Sequence, residues 1–366
     1  MNVRGLMAGL ALLAGCAAVR EQAVSPMPDG CVAVATAWAK ANSGVDAYAT
    51  GRYAAEILKA KLNGVEPQVV ILSECFAEKA DKAKAAKGVA SVFGKERVVG
   101  IASYGIYTRD SVADRQAVGL LALGGDGIAV RTAFVPKMNA AGLTQENDEA
   151  ALASALGAAG RKLAEQFPVG NQSRLMIVLA DAHSPKNQLL LDGIQAVVGT
   201  RFPITGGSAN KNAGQNWIHW RGGLYADAAV ALMIDGNFTL TQNGAQAKDN
   251  QAVLDTAKKV ASDLLDADTN VIPPGIRGVR YALGNKLLLA FDCAGRKGKL
   301  EDIDDERKAI IAGLTSAPEA GLPPPRLGET EIFGMWCAGE IGCPEDSLQQ
   351  PVGRGWHIMG TMIRSK

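Results

Sequence analysis

The sequence has few of the side chains from which catalytic centres are usually assembled. Among 366 residues there are three histidines, and aromatic residues make up only 5% of the chain. The patterns HExxH and GxSxG and the P-loop signature are all missing. Those patterns supply a metal site, a nucleophile or a phosphate cradle, so hydrolase and nucleotide chemistry are hard to assemble from this chain.

An excess of either charge is also missing. The chain has 38 basic and 37 acidic residues, which gives a formal net charge of +1. No basic patch with interleaved aromatic residues occurs, so the sequence argues against a nucleic-acid partner. With 48% hydrophobic and 20% charged residues, the chain can build sizeable cores. Its length predicts two or three folded units rather than one.

The apolar run at residues 6–14 is too short to span a bilayer. It follows the positive charge of Arg4 and ends in LAGC at Cys16, which resembles a bacterial lipobox. The resemblance implies that residues 1–15 are a signal peptide, that cleavage precedes Cys16, and that this cysteine is lipidated. The alternative is an ordinary signal peptide in which the cysteine is incidental.

Ala17 follows the lipobox cysteine, where an inner-membrane retention signal would usually have aspartate. This favours an outer-membrane lipoprotein that faces the periplasm, with the periplasmic face of the inner membrane as the alternative. Residues 16–30 contain Pro26, Pro28 and Gly30 and are predicted to form a tether.

Lipidation of Cys16 would leave five cysteines for the folded part. An odd number leaves at least one thiol unpaired or intermolecular, and the pairing stays open. The chain has no C-x-x-C and no Cys/His spacing typical of a zinc site. The five are Cys31, Cys75, Cys293, Cys337 and Cys343.

Three stretches share one design, in which an apolar strand runs into a polar tip. A buried parallel strand delivers functional groups to the carboxyl edge of a sheet in this way. A helical pattern precedes each strand, and a further helix and strand follow. The stretches are VVILSECF at 69–76, LMIVLADAH at 175–183 and LLLAFDCAGR at 287–296.

Gly51 and Gly160 occupy matching places in the first helices of the first two copies. Because glycine in a helix costs about 1 kcal/mol relative to alanine, the match indicates common descent or close helix packing. The glycine-rich segment 124–127 predicts a hairpin turn. Ser184 is predicted to cap a helix that has Pro185 at its first position.

These patterns predict an α/β fold of internally repeated strand–helix–strand units. Closing antiparallel strands complete each unit, and helices cover the sheets. Residues 31–245 are predicted to hold two copies, and residues 246–366 a third, more divergent copy.

Several motifs resemble the FIST family of sensory domains. CAGR at 293–296 and GMWCAGEIG at 334–342 resemble its C-terminal module, while VVGIASYG at 98–105 and PITGGSAN at 203–210 resemble its N-terminal module. The resemblance implies that residues 31–245 are the N-terminal module and residues 246–366 the C-terminal one. It also implies a protein that binds small ligands, amino acids among them, rather than an enzyme, and some members carry haem. The predicted export departs from a family generally described as intracellular, and residues 241–280 lack the expected opening of the second module.

Arg296 follows a strand tip, and two roles for it stay open. Its guanidinium would clamp a ligand carboxylate, or it would form a structural pair with Glu340. Asp292 would orient the arginine, bind an amino group or cap a turn. Cys293 completes this group of candidate ligand-binding residues.

A second group of candidates lies in the GGSAN segment. Gly207, Ser208 and Asn210 would present N–H groups and a hydroxyl to an anion, or they would form a tight turn. Ser103 is the counterpart in the first copy.

Cys75, His183 and Cys293 end equivalent strands. If they face one cleft, they would form a haem or soft-metal ligand set, and His219 is a further weak candidate. Buried thiols and a hydrogen-bonded histidine are the alternative. We predict no cofactor, with haem as the alternative.

The sequence as a whole predicts an exported, lipid-anchored sensory protein that binds a small molecule. The alternatives are a haem-based or thiol redox or gas sensor, and a periplasmic hydrolase or transferase. The predicted partners are a small-molecule ligand, the membrane through the N-terminal lipid, and a signalling protein of unknown identity.

Overall fold

The computed structural model describes residues 32–42, 45–212, 215–266, 285–316, 328 and 330–365. The predicted signal peptide, the lipidation site Cys16, the tether and Cys31 lie outside the described residues. None of the described helices is long and apolar enough to cross a membrane. The predicted α/β class is confirmed, because three six-stranded mixed sheets and their covering helices build the protein.

The chain passes through three units in order. The first contains β1 (Ala33–Lys40), α1 (Ala47–Leu62), β2 (Pro67–Glu74), α2 (Lys79–Phe93), β3 (Val98–Ala102), β4 (Ile106–Thr108), β5 (Val112–Ala113) and β6 (Ala117–Gly124). The second contains β7 (Ile128–Val135), α3 (Gln145–Ala164), β8 (Ser173–Ala180), α4 (Lys186–Val198), β9 (Ile204–Ser208), β10 (Lys211–Asn212), β11 (Gln215–Asn216), β12 (Ile218–Trp220), β13 (Gly223–Tyr225) and β14 (Ala229–Gly236). The third contains β15 (Phe238–Gln246), α5 (Asn250–Asp266), β16 (Asn285–Cys293), α6 (Ala294–Lys297), α7 (Asp305–Leu314), β17 (Glu331–Cys337), β18 (Glu340–Gly342), β19 (Val352–Arg354) and β20 (His357–Ser365).

The inner part of every sheet has the same topology. In the first sheet β2 and β3 are parallel, and the closing strand β6 runs antiparallel between β1 and β2. The order is β1-β6-β2-β3-β12-β13. The second sheet, β7-β14-β8-β9-β18-β19, and the third, β15-β20-β16-β17-β4-β5, repeat it. The predicted strand–helix–strand repeat is therefore present three times.

The outer two strands of each sheet come from a different unit. The second unit sends β12 and β13 to the first sheet, and the third unit sends β18 and β19 to the second sheet. The first unit sends β4 and β5 to the third sheet. This exchange closes the three units into a ring, with each unit paired to both of the others.

The predicted hairpin at residues 124–127 is wrong. The strand β6 already pairs with β1 and β2 on its two edges, so the next strand, β7, has no free edge there. Instead β7 pairs with β14 in the second sheet. The turn after β14 also connects two sheets. The sequence assigned β15 to the second copy, but β15 pairs with β20 in the third sheet. Both turns are crossings between sheets.

One central core lies between the three sheets. The strand β2 sends Val69 and Ile71 into it, and β8 and β16 contribute their alternate residues in the same way. The intervening residues face the helices, as Val70 and Leu72 do against α1 and α2. Separate cores lie under α3 and α4 and under α5 and α7. Because both faces of these strands are covered, the strands read as continuous apolar runs.

Glycines let each helix pair approach closely. A Cβ atom at Gly51 would overlap the carbonyl oxygen of Ala85, and one at Gly160 would overlap that of Leu190. This confirms the close packing predicted for these two glycines. The second helices repeat the device in all three units, at Gly88, Gly193 and Gly313.

The predicted start of α4 is off by one residue. The helix begins at Lys186 and its N-cap is Pro185, with no side-chain cap hydrogen bond, so Ser184 is not the cap. The backbone N–H of Ser184 instead donates to the carbonyl of Ala338 in the third unit.

Candidate functional site

The carboxyl ends of β3, β9 and β17 meet at one edge of the ring that the three units form. The carbonyl of Ala102, at the end of β3, accepts the backbone N–H of Asn210 at 2.9 Å. Ser208 O, at the end of β9, accepts Ala338 N at 3.1 Å, and Trp336 O in β17 accepts Tyr104 N at 2.8 Å. Each strand tip is thus held by the tip of another unit in a cyclic arrangement.

A glycine two residues before each of these junctions makes the arrangement possible. A Cβ atom at Gly100 or Gly206 would overlap a carbonyl oxygen of the neighbouring parallel strand. At Gly334 it would overlap the ring of Tyr107, which arrives from the first unit. The glycines of the family-like motifs therefore serve close backbone approach.

The predicted polar residues of the GGSAN segment lie at these junctions and are buried. The side-chain amide of Asn210 donates to the carbonyl of Ser103, and the Ser208 hydroxyl donates to that of Ala182. The Ser103 hydroxyl bonds that of Ser73 at 2.9 Å. Gly207 pairs with Glu340 in the ladder between β9 and β18. The structure brings these residues together, and a role in ligand contact stays a prediction.

Arg296 lies fully buried in the third unit, with two ion-pair partners. Its Nε donates to Asp292 at 2.8 Å and its Nη2 to Glu306 at 2.6 Å. Nη1 donates to the Thr256 hydroxyl at 2.9 Å, and Nη2 also donates to the carbonyl of Val253. The predicted orientation by Asp292 is present, but Glu306 takes the place proposed for Glu340. Because Nε, Nη1 and Nη2 all donate to groups of the protein, the guanidinium has a structural role in the third unit.

The acids around Arg296 outnumber it. Burial raises the pKa of Asp292 well above its usual value, and the neighbouring Glu306 raises it further against the opposing effect of Arg296. The Asp292 Oδ2 atom has no hydrogen-bond partner within the described part of the chain. The indole N–H of Trp336 donates to the second oxygen of Glu306 at 3.0 Å.

Glu340 is a second buried acid at this edge. Its Oε2 atom accepts the backbone N–H of His357 at 3.3 Å. Its Oε1 atom is without a partner among the residues described. Burial raises the pKa of Glu340 well above its usual value, because it disfavours the charged form of the carboxyl group.

A third polar cluster, which sequence reasoning missed, joins the first two units. The buried carboxylate of Glu74 lies 3.2 Å from Nε2 of His219 and 3.3 Å from the ammonium of Lys82. Glu74 ends β2, at the place that Asp292 occupies in β16. The matching positions of Glu74 and Asp292 could have identified Glu74 as a candidate from the sequence. The pairing of Glu74 with His219 could not be predicted, because β12 joins the sheet of another unit.

The candidate metal ligands lie in separate surroundings. Cys75 packs with Ile106, Ala113 and Ala117, whereas Cys293 lies beside Glu340. The His183 ring bonds the carbonyl of Ala209 at 2.9 Å. Within the described ranges no group of three His, Cys, Asp or Glu side chains is placed to hold a metal ion.

A groove of about 690 Å³ opens at the carboxyl edge between the first two units. Lys79, the first residue of α2, forms one wall, and the segment 136–141 after β7 forms the other. Trp217 and Tyr225 line it between them. The Lys79 ammonium lies 4.5 Å from the centroid of the Trp217 ring. Sequence reasoning had not assigned these residues to a site.

The wall that follows β7 is held by Asp227. One carboxylate oxygen accepts the backbone N–H of Asn139 and the other that of Ala140, both at 3.0 Å. The backbone N–H of Asp227 donates in turn to the half-buried carboxylate of Asp181 at 2.7 Å. Burial raises the pKa of Asp181. These bonds make one side of the groove rigid and leave the Asp227 carboxylate engaged.

A larger groove, of about 780 Å³, lies at the opposite edge of the ring. The amino ends of β8 and β15 and the segment before β9 line it, and it includes Arg174 and Arg201. None of the predicted site residues lines this groove.

Residues 68–248 match the family model described as the FIST N domain. This match supports the FIST domain that the motifs in this range predicted. The matched range includes the groove and the junction residues of the first two units. The predicted C-terminal module lies beyond it and stays a prediction.

No curated protein matches the chain. Among solved structures, a cyanuric acid hydrolase from A. caulinodans is similar at a TM-score of 0.42 and 10% identity, covering 92% of this chain and 100% of that one. A second cyanuric acid hydrolase structure has a TM-score of 0.41 and 10% identity, covering 91% and 100%. PurLQS from Thermotoga maritima has a TM-score of 0.29 and 9% identity, covering 92% of this chain and 72% of that one. These likenesses are too distant to bear on function.

Proposed function

We propose that this protein is a sensory protein that binds a small molecule at the carboxyl edge of its sheets. Amino acids and similar metabolites are the ligands that the FIST resemblance implies. In the proposal the protein is exported and anchored through a lipid on Cys16. Binding is its task, and it catalyses no reaction.

The observation that carries the proposal is the groove between the first two units. It lies where the strands β2, β7 and β8 end, within the range that matches the FIST N domain. Ligands of open α/β sheets bind outside the carboxyl ends of the strands. The groove is also lined by the types of group that hold small molecules, namely two aromatic residues and a few polar side chains.

The state of the polar groups supports binding over catalysis. The Ser103 and Ser208 hydroxyls are engaged in buried hydrogen bonds. Burial raises the pKa of Cys75 and of Cys293 to about 12 each, so neither thiol is a ready nucleophile at neutral pH.

The groove also offers a route from binding to signalling. Its walls belong to different units, and Trp217 accepts the backbone N–H of Ala102 at the end of β3. A ligand that contacts both walls stabilises one relative placement of the units. A signalling partner that reads that placement would then respond to the ligand.

A thermal-shift screen of the soluble 17–366 protein against amino acids and other small metabolites tests the proposal. A ligand at a hundred times its Kd adds about 2.7 kcal/mol to the free energy of unfolding, which raises the melting temperature by several degrees. The shift should shrink in Trp217→Ala and persist in Tyr53→Ala, which changes an exposed residue of α1. A screen in which no metabolite stabilises the protein would count against a small-molecule sensor.

A further inference from the structure

The groove between the first two units has an unusual balance of charge. Lys79 and Lys137 line it, and Asp227 is the acidic residue of the lining. Both oxygens of Asp227 accept backbone N–H groups of the segment 136–141, which hold the carboxylate against that wall. Its charge remains, so the lining carries two cations and one anion, a net charge of +1.

The position of Lys79 is unfavourable for the helix that carries it. It is the first residue of α2, a helix of 15 residues, and a cation near a helix N-terminus opposes the helix dipole. The cap residue, Glu78, makes no side-chain cap hydrogen bond. A lysine that weakens its own helix start is expected where function requires it.

Trp217 adds an independent signal. The residue is 4% exposed, and its indole N–H has no hydrogen-bond partner among the described residues. A buried donor without a partner is costly, and such groups are found where a ligand or water completes the bonding. The Lys79 ammonium covers the ring in the free protein.

We propose that the groove binds a small organic anion, whose carboxylate or phosphate group pairs with Lys79 and Lys137 and whose body packs against Trp217. This assignment rests on the proposed function and gives its ligand a chemical class. An anion at this place offsets the unfavourable charge of Lys79 at the start of α2. It also draws Lys79 from the indole face, which opens the ring to the ligand body.

Benzoate and benzamide form a matched pair of probes, because they share a shape and differ in charge. Their binding to the 17–366 protein is measured by tryptophan fluorescence and thermal shift at constant ionic strength. Benzoate should bind more tightly than benzamide by about tenfold or more, the range of a charge-assisted hydrogen bond. Inorganic phosphate serves as a second anion and shows whether the organic body contributes.

Two variants locate the effect. The double variant Lys79→Gln and Lys137→Gln should bind benzoate no better than benzamide. Lys87→Gln removes an equal charge from an exposed position further along α2 and should retain the preference. Trp217→Phe should remove the fluorescence response, and it should fold because the indole N–H has no bond to lose.

Equal binding of the two probes, or failure of benzoate to bind, would overturn the assignment of an anion. So would a preference for benzoate that survives in the double variant. If a neutral or cationic metabolite from the screen still stabilises the protein, the proposed function stands without this ligand class. If nothing in either experiment binds, both fail.

Discussion

Arg296 shows how a residue with the signature of a ligand clamp becomes part of the fold. At the end of an apolar strand its sequence context fits either role, and the sequence places Glu340 as its partner. The structure pairs it with Asp292 and Glu306 instead. Glu306 is ten residues further along the chain at the start of α7, within an acidic run that alone indicates a solvated helix start.

The change Arg296→Ala would leave two buried carboxyl groups without a counter-charge. We expect it to lower the free energy of unfolding by about 3–5 kcal/mol, the range for removing one partner of a buried ion pair. Urea unfolding of the 17–366 protein measures the change. Arg52→Ala, which removes an exposed pair with Glu56, is the control and should have an effect within about 0.5 kcal/mol. A folded Arg296→Ala protein of unchanged stability would show that the cluster does not hold the third unit.

Glu340 predicts a pH dependence of stability. Its folded pKa is raised, so the folded state keeps a proton that the unfolded chain has lost. The contribution of Glu340 is therefore fully present below the unfolded value near pH 4.3 and falls as pH rises above it, by up to about 1.4 kcal/mol per unit. Relative to Glu340→Gln, the wild-type protein should lose stability between pH 5 and 7 in urea unfolding. If the free energy of unfolding of the wild-type protein relative to Glu340→Gln stays constant or rises with pH, the raised pKa of Glu340 is contradicted. Glu345→Gln serves as the control at an exposed position.

At the scale of elements, the pattern of apolar residues predicts which segments are helices and which are strands. It does not predict which edges the strands find. The turn at residues 124–127 has the composition of a hairpin, but the two edges of β6 are already occupied. Edge occupancy depends on pairing between distant segments, so local composition cannot reveal it.

The helix glycines allow a matched test on a single helix. In Gly160→Ala the new Cβ atom would overlap the carbonyl oxygen of Leu190, so α3 and α4 must move apart. We expect a loss of about 1–3 kcal/mol in the free energy of unfolding. In Gly157→Ala the nearest atom is Nη2 of Arg161 at 3.7 Å, so the helix should gain up to about 1 kcal/mol. Equal effects of the two changes would contradict the described helix contact.

At the scale of the whole molecule, each unit completes the sheet of another. The sequence revealed three copies because helix and strand patterns repeat along the chain. The cyclic exchange of β4–β5, β12–β13 and β18–β19 could not be read from it, since these strands have only two or three residues each. The junctions at Ala102, Ser208 and Trp336 follow from that exchange. Several residues at this edge could therefore be predicted from the sequence, but the residues that they contact in other units could not.

The proposed anchoring predicts a change of location. If Cys16 is lipidated, the full chain expressed in a Gram-negative host should sediment with the membranes and should incorporate a labelled fatty acid. The variant Cys16→Ser should lose the label and should not sediment as a lipoprotein. Equal labelling of both proteins would exclude this cysteine as the lipid site, and Cys31→Ser is the matched control.

Hydrogen exchange with and without a ligand shows which of the two grooves holds the ligand. The ligand is the metabolite that gives the largest shift in the thermal screen, used at saturation with the 17–366 protein. We expect added protection at the start of α2, in residues 136–141 and around Trp217 in β11–β13, on both walls of the carboxyl-edge groove. Protection confined to the opposite groove, at residues 198–203 and 238–240, would contradict the placement of the ligand site.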